Sequence, residues 1–304
     1  MNTLHHQPIT RSILYGMITS FISLCFFAVP PTVFGAGGLI LGAELRLTYE
    51  DNVVGLLSDQ RGRGSSGGGV SGGGMMAAPI GMGNGKNRYL GSGSGSTQSP
   101  GDFSATLSAE AGGYRDVAAD TFVFAKGFAE HQSYDTYSDL DATIGGISVG
   151  VNTSFNDMFS ARAALLGKIK RFGDGDRDST SYGGTFALKE KITPSFWLRE
   201  FVEYEKNSAD VSVFSYTGTK IGVDAGYALF TETLLTFGYS YLDQTFDEPA
   251  DADMKTNTVF AGIEQSFGKH WALAGEYDLQ VSKENVTGTS TTDNIFSLAL
   301  RYSY

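Results

Sequence analysis

The sequence predicts an all-β protein, a transmembrane antiparallel up-and-down β-barrel of twelve strands. Segments of about ten residues alternate apolar and polar side chains, and the connections between them alternate between short turns and longer polar loops. The final segment, 295–304, completes the pattern and ends on an aromatic residue. Such strands present one face to lipid and one to the barrel interior. A soluble β-sandwich also has many short alternating strands, but an export signal and aromatic strand ends favour the barrel.

Composition agrees with this fold class. Charged residues make up 18% of the chain, below the roughly 25% of soluble domains, and glycine is abundant, with 40 residues. After residue 30 no run of 18 apolar residues occurs, which argues against a helical membrane protein. The net charge of -11 argues against non-specific nucleic-acid binding.

The N-terminal segment 1–35 is predicted to be a secretory signal peptide, with Arg11 in its basic region and an apolar stretch over 13–29. We expect cleavage after Gly35; an uncleaved N-terminal anchor is the alternative. The single cysteine, Cys25, lies in this stretch, so the mature chain would have no thiol for a disulfide or a metal site. Residues 36–304 would then form the barrel, without metal or cofactor.

Twelve strands follow one another along the chain. Each is close to the ~9–11 residues that a tilted strand needs to cross a bilayer. The first, 39–50, directs Leu45 and Leu47 to one face and Glu44 and Arg46 to the other. The predicted strands are 39–50, 102–110, 121–130, 143–153, 159–171, 182–191, 196–205, 220–228, 233–242, 256–266, 271–281 and 295–304.

Two of these strands have an unclear phase. In 121–130, Lys126 shares a face with Phe122, Phe124 and Phe128, which indicates either a bulge or an aromatic interior face. In 196–205, Glu200 lies between Leu198 and Val202.

The long interruption at 51–101 is predicted to be a disordered, surface-exposed first extracellular loop. Fifteen of the 40 glycines fall within 62–101, among Ser, Met and Pro. Such a segment buries too little apolar surface to offset the entropy of ordering it. The other connections fit a barrel with short periplasmic turns, longer extracellular loops and both termini in the periplasm.

The ending Leu298-Ala299-Leu300-Arg301-Tyr302-Ser303-Tyr304 is similar to the C-terminal assembly signal of Gram-negative outer-membrane β-barrels, the porin-like superfamily. The resemblance covers 39–50 and 102–304 and identifies no subfamily. It implies an outer-membrane location, contact with lipid and lipopolysaccharide, and recognition by the barrel assembly machinery. The residues expected to carry the assembly signal are Phe296, Leu298, Leu300, Tyr302 and Tyr304. The hairpin style also resembles uncharacterised barrels found beside polysaccharide-export genes.

Charged residues on the predicted interior face are the functional candidates. They indicate either a narrow porin-like channel with opposed rows of charge, or a closed structural or surface-binding barrel filled by ion pairs. Bases on 159–171 and 182–191 would favour anionic solutes. The candidate lumen residues are Arg46, Glu110, Arg162, Lys168, Lys170, Lys189, Lys191, Asp224, Glu264, Glu276 and Asp278.

Catalysis and metal binding have little support in the sequence. Only His131 and His270 follow the signal peptide, and no motif of a nucleophile and base surrounds them. His131 lies two residues from Ser133, which leaves an outer-membrane hydrolase as a less favoured alternative. Asp174, Asp176 and Asp178 resemble the start of a calcium loop, but the glycine and glutamate that should follow are missing. The sequence therefore predicts a non-enzymatic protein.

Overall fold

The computed structural model describes residues 37–52, 59–63, 82–86, 101–248, 253–285 and 290–304. Twelve long strands form one closed barrel, and two short strands form a separate pair. The barrel strands are β1 (Gly37–Glu50), β4 (Asp102–Ala118), β5 (Thr121–Tyr134), β6 (Ala142–Ser154), β7 (Phe159–Phe172), β8 (Ser179–Thr193), β9 (Phe196–Ala209), β10 (Tyr216–Phe230), β11 (Thr233–Phe246), β12 (Asp253–Phe267), β13 (Trp271–Glu284) and β14 (Ser290–Ser303); the short pair is β2 (Asp59–Arg63) and β3 (Met82–Lys86).

Each barrel strand is antiparallel to its neighbours in sequence, and β1 closes the sheet by pairing with both β4 and β14. The prediction of a twelve-stranded up-and-down barrel is thus confirmed. A closed sheet has no exposed edge, so every strand of the barrel has a neighbour on both sides. Among the described residues no helix is both long and apolar enough to cross a membrane.

The connections alternate as predicted. Turns of two to four residues join β4 to β5, β6 to β7, β8 to β9, β10 to β11 and β12 to β13. We refer to that rim as the short-turn end and to the opposite rim as the long-loop end. The strands extend further toward the long-loop end than the sequence predicted; β14 begins at Ser290 rather than Ile295, and β10 at Tyr216 rather than Lys220. Polar residues there continue the backbone ladder, which needs no apolar side chains.

Two predictions fall mostly outside the described residues. The predicted signal peptide, 1–35, is not among them. Of the predicted Gly-rich loop, 51–101, the described parts are its ends and the antiparallel pair β2–β3. The disorder predicted for that loop stays a prediction.

The two faces of the barrel have opposite chemistry. On β6 and β7 the outward residues Ile147 and Leu165 are each 67% exposed, whereas Lys170 points inward and is 0% exposed. Most large apolar side chains on the strands face out, while lysines, glutamates and aspartates are buried. This reversal of a soluble protein's pattern identifies a sheet with a lipid-facing exterior and a polar interior.

The strands of unclear phase have an aromatic interior face. Phe124, Lys126 and Phe128 of β5 point inward, and the alternating residues Val123 and Ala125 are exposed. Since the alternation is unbroken here, the explanation by a bulge is wrong for this strand. On β9, Trp197, Arg199 and Phe201 point inward, and Glu200 is exposed on the outer face.

Interior rings lie against glycines of the next strand. Phe128 is directly opposite Gly146, and Phe201 is directly opposite Gly222. A Cβ added at Gly146 or Gly222 would lie 2.4 Å from the ring. Cross-strand neighbours at this spacing contact each other, and the missing side chain lets the ring lie along the wall. The same pairing joins Phe124 to Gly150, Trp197 to Gly226, Phe260 to Gly238 and Tyr114 to Gly38.

Candidate functional site

The barrel interior brings the candidate lumen residues together. By strand alternation, all of them occupy inward positions on their strands; they are Arg46, Glu110, Arg162, Lys168, Lys170, Lys189, Lys191, Asp224, Glu264, Glu276 and Asp278. The five residues of the predicted assembly signal occupy the outward row of β14 or follow it, and four of them, Phe296, Leu298, Leu300 and Tyr304, are well exposed.

A network of ion pairs closes the seam between the first and last strands. Arg301 lies directly opposite Glu44 and donates from Nε to its carboxylate at 2.7 Å. The Nη atoms of Arg301 also donate to Glu264 and Glu276. Arg46 donates to Glu44 at 2.8 Å and to Glu276 at 3.0 Å. Two guanidinium groups therefore bridge three carboxylates, and the network spans the four adjacent strands β12, β13, β14 and β1. Each charge of the network has a partner.

The wall formed by β7 to β10 has the opposite composition. Its interior face carries seven bases and three acids, counted over these fully described strands. The interior face of β12, β13, β14 and β1 carries seven acids and two bases among its described residues. Around the closed barrel, the two groups of strands are separated by β11 on one side and by β4, β5 and β6 on the other. We call them the basic wall and the seam wall.

Bases on the basic wall have two kinds of partner. Lys168 and Lys170 share Glu205, at 3.1 and 2.7 Å, and Arg199 donates to Asp224. Other bases lie over aromatic rings. The Lys189 Nζ is 4.3 Å from the centre of the Trp197 ring. Similarly, the Arg162 guanidinium is 4.3 Å from the centre of the Phe124 ring. Cation–π contacts attract the cation but supply no opposite charge.

Near the long-loop end two apolar clusters lie in the interior. Tyr216, Phe246 and Met254 form one buried cluster, and Tyr134 and Leu140 form another. Buried polar side chains such as Gln132 and Gln244 lie at the same end.

A loop contact lies at the same rim. Arg177 stacks on Phe172, donates to Asp174, and donates from Nη2 to the carbonyl of Asp139. It thereby ties the loop after β7 to the loop after β5.

The residues considered for calcium binding are engaged otherwise. Asp174 accepts from Arg177, while Asp178 accepts from Arg171 and from the backbone N–H of Phe172. Among the described residues no group of three or more His, Cys, Asp or Glu side chains has an arrangement suited to a metal.

The residues considered for hydrolysis bond to other groups. His131 and Ser133 lie on the outer face of β5. His131 Nδ1 shares a hydrogen bond with the Thr143 hydroxyl at 2.9 Å, and Ser133 donates to Asp141. The two side chains are therefore not arranged as a nucleophile hydrogen-bonded to its base.

An aromatic interior face was one of the two alternatives for β5, whereas the interior aromatic residues of β9 were missed by sequence reasoning. Trp197 and Phe201 alternate with Arg199 on β9, and Phe124 and Phe128 flank Lys126 on β5. A row of aromatic residues that includes a base can be assigned to the interior from the sequence, because a base on the lipid face is destabilising. The glycines opposite those rings become visible only once the strand register is known.

Comparison with known proteins supports the fold. No protein-family model and no curated protein matches the chain. An outer membrane channel from Pseudomonas putida F1 has a TM-score of 0.58 and 9% identity; the match covers 91% of this chain and 100% of that one. The NanC porin has a TM-score of 0.48 and 8% identity, with coverage of 86% and 98%. The KdgM porin in complex with disordered oligogalacturonate has a TM-score of 0.42 and 9% identity, with coverage of 86% and 99%.

At such low identity, the similarity to the Pseudomonas channel speaks for the fold alone. Together with the apolar exterior and the polar interior, it identifies the fold as that of the outer-membrane β-barrels. The resemblance of the closing strand had implied this fold.

Proposed function

We propose that this protein is a narrow channel for small polar solutes in the bacterial outer membrane. The observation that carries the proposal is that charged side chains in the middle of the interior keep accessible surface. The side chains of Glu44, Glu110 and Arg199 keep 15%, 16% and 21% of their surface accessible although they point inward. A fully packed interior would leave such groups no accessible surface.

The aromatic–glycine pairs support the same proposal. Rings that lie along the wall occupy less of the cross-section than rings that point to the barrel axis. With twelve strands the barrel is larger than the eight-stranded barrels that side chains fill, and smaller than the porins with 16–18 strands. A narrow passage lined by charge is the arrangement that these features favour.

The apolar clusters at the long-loop end favour the second candidate, a structural or surface-binding barrel with a closed interior. Tyr216, Phe246 and Met254 would be the residues that close it.

Two further proposals rest on the sequence resemblance. They are a role in polysaccharide export and recognition of β14 by the barrel assembly machinery. We propose no catalytic activity, because His131 and Ser133 bond to Thr143 and Asp141 rather than to each other.

Single-channel recording in planar bilayers tests the proposal. We expect discrete conductance steps from the purified, heat-modifiable barrel. Ser148→Trp adds a large ring to the interior wall of β6 and should lower the unit conductance, because Ser148 is buried there. The control is Val149→Trp, which alters the adjacent outward position and should leave the conductance unchanged.

A folded barrel without conductance steps would reject the channel and favour the closed barrel. The location is tested separately, by separating inner and outer membranes on a density gradient. Recovery of the barrel in the inner-membrane fraction would contradict the proposed location.

A further inference from the structure

Two bases face each other directly on the basic wall near the short-turn end. Lys189 of β8 is the register partner of Arg199 on β9, and both side chains point inward. Directly opposed residues have Cβ atoms only ~4.5–5.5 Å apart, and like charges at this spacing repel. Lys191 follows on the same face of β8. Three positive charges therefore lie within two adjacent strands.

Little negative charge is available to these three bases. Arg199 donates to Asp224, on the side away from β8. Lys189 lies over the Trp197 ring, and the described residues give neither Lys189 nor Lys191 a carboxylate partner. On the seam wall, Glu44 and Glu276 are held by Arg46 and Arg301.

We propose that Lys189, Lys191 and Arg199 form an anion-binding site on the channel wall, which takes the carboxylate or phosphate group of a small solute. The site rests on the proposed channel function, since solutes reach it through the interior. An oxyanion between Lys189 and Arg199 would turn a repulsive pair into two charge-assisted hydrogen bonds. Lysine provides a mobile point charge and arginine a planar fork, and both suit oxyanions.

Neighbouring side chains complete the site. The hydroxyl of Ser160, which lies opposite Lys189 on β7, is a further donor. Arg162, on the same strand, adds positive charge beside Phe124. The Trp197 ring under Lys189 holds the ammonium while no anion is bound. Binding would draw the ammonium from the ring toward the anion.

Tryptophan fluorescence tests this site without any need for conductance. The chain has two tryptophans, so Trp271→Phe leaves Trp197 as the reporter. We expect a saturable change in Trp197 emission when the folded barrel is titrated with inorganic phosphate or citrate at constant ionic strength. Saturation with both would define a general oxyanion site. A response to one alone would assign the site to phosphates or to carboxylates.

Two lysine variants test whether Lys189 binds the anion. Lys189→Gln should weaken the apparent affinity at least about tenfold, because a charge-assisted hydrogen bond is lost. Lys206→Gln is the control; it removes a lysine that pairs with Asp247 at the long-loop rim, and the titration should not change. An emission that does not respond to either anion, or that responds equally in Lys189→Gln, would overturn the site. Anion binding by a barrel without conductance would reject the channel alone.

Discussion

The seam wall and the basic wall use charge in different ways. On the seam wall, Arg46 and Arg301 each bridge two or three carboxylates, and the network crosses the pairing of the first and last strands. On the basic wall, Lys189 has a ring rather than a carboxylate as its partner. The difference indicates that the seam charges stabilise the closed barrel, whereas part of the basic charge is left for solutes. Variants of the two walls should therefore differ in both stability and selectivity.

The largest effect is expected where closure itself is removed. Deleting residues 302–304 removes Tyr302 and Tyr304, whose backbones pair with β1 at Ala43 and Leu41. Their rings also lie against His270 and Trp271 at the short-turn end. We expect no heat-modifiable barrel in the outer membrane, as judged by gel mobility with and without heating. A normal heat-modifiable barrel in that fraction would contradict the role assigned to the closing strand.

Removing one arginine should expose the contrast between the walls most directly. Arg301→Met leaves Glu44 and Glu276 to Arg46 and removes the base that bonds to Glu264. It should lower the free energy of unfolding by about 3 kcal/mol. Lys189→Met is the matched change on the basic wall. It relieves the repulsion with Arg199 and should raise that free energy slightly, by up to about 1 kcal/mol.

Urea unfolding of the barrel in lipid vesicles measures both variants. If the two replacements destabilised the protein equally, the distinction between a paired and an unpaired wall would be wrong.

A glycine variant tests whether the rings are held against the wall. Gly222→Ala places a Cβ 2.4 Å from the Phe201 ring, and the crowding should cost about 1–3 kcal/mol. The displaced ring should also lower the unit conductance. Gly145→Ala is the control, because a Cβ there meets nothing within 4 Å. Equal stability and conductance for both variants would show that the rings tolerate displacement freely.

The smallest effect concerns the outer face. Glu200 is exposed there between Leu198 and Val202, five residues into β9. A charged side chain on the lipid face is destabilising, though less so for Glu than for Lys or Arg. We expect Glu200→Leu to raise the free energy of unfolding by about 1 kcal/mol. The interior neighbour Glu203→Leu should lower it, and an equal response of the two would contradict their assignment to opposite faces.

Much of the architecture could be predicted from the sequence, because a strand's faces follow from a period of two. On β1 the two faces can be assigned without reference to neighbouring strands, because Leu45 and Leu47 alternate with Glu44 and Arg46. The polar ends of strands could not be predicted. Residues 290–294 pair with β13 through their backbones, and their side chains contain no apolar alternation.

The partners within the site could not be predicted either. That Arg301 bonds to Glu264 and Glu276 depends on the register of two strand pairs. The phase of β9 was ambiguous because Trp197 and Phe201 are apolar yet interior, where glycines of β10 accommodate them. On β9 these apolar aromatic residues face the interior, although apolar residues of a membrane barrel usually face lipid.

Ion selectivity tests the central claim most directly. The zero-current potential across a planar bilayer should be recorded with the barrel inserted between two KCl concentrations. The potential reports the balance between the two walls, which together carry nine bases and ten acids at their described interior positions. We expect the double variant Lys189→Gln with Lys191→Gln to move the potential toward the cation-selective sign, because it removes two positive charges that have a ring or no carboxylate as partner. A potential that this double variant leaves unchanged would contradict the account.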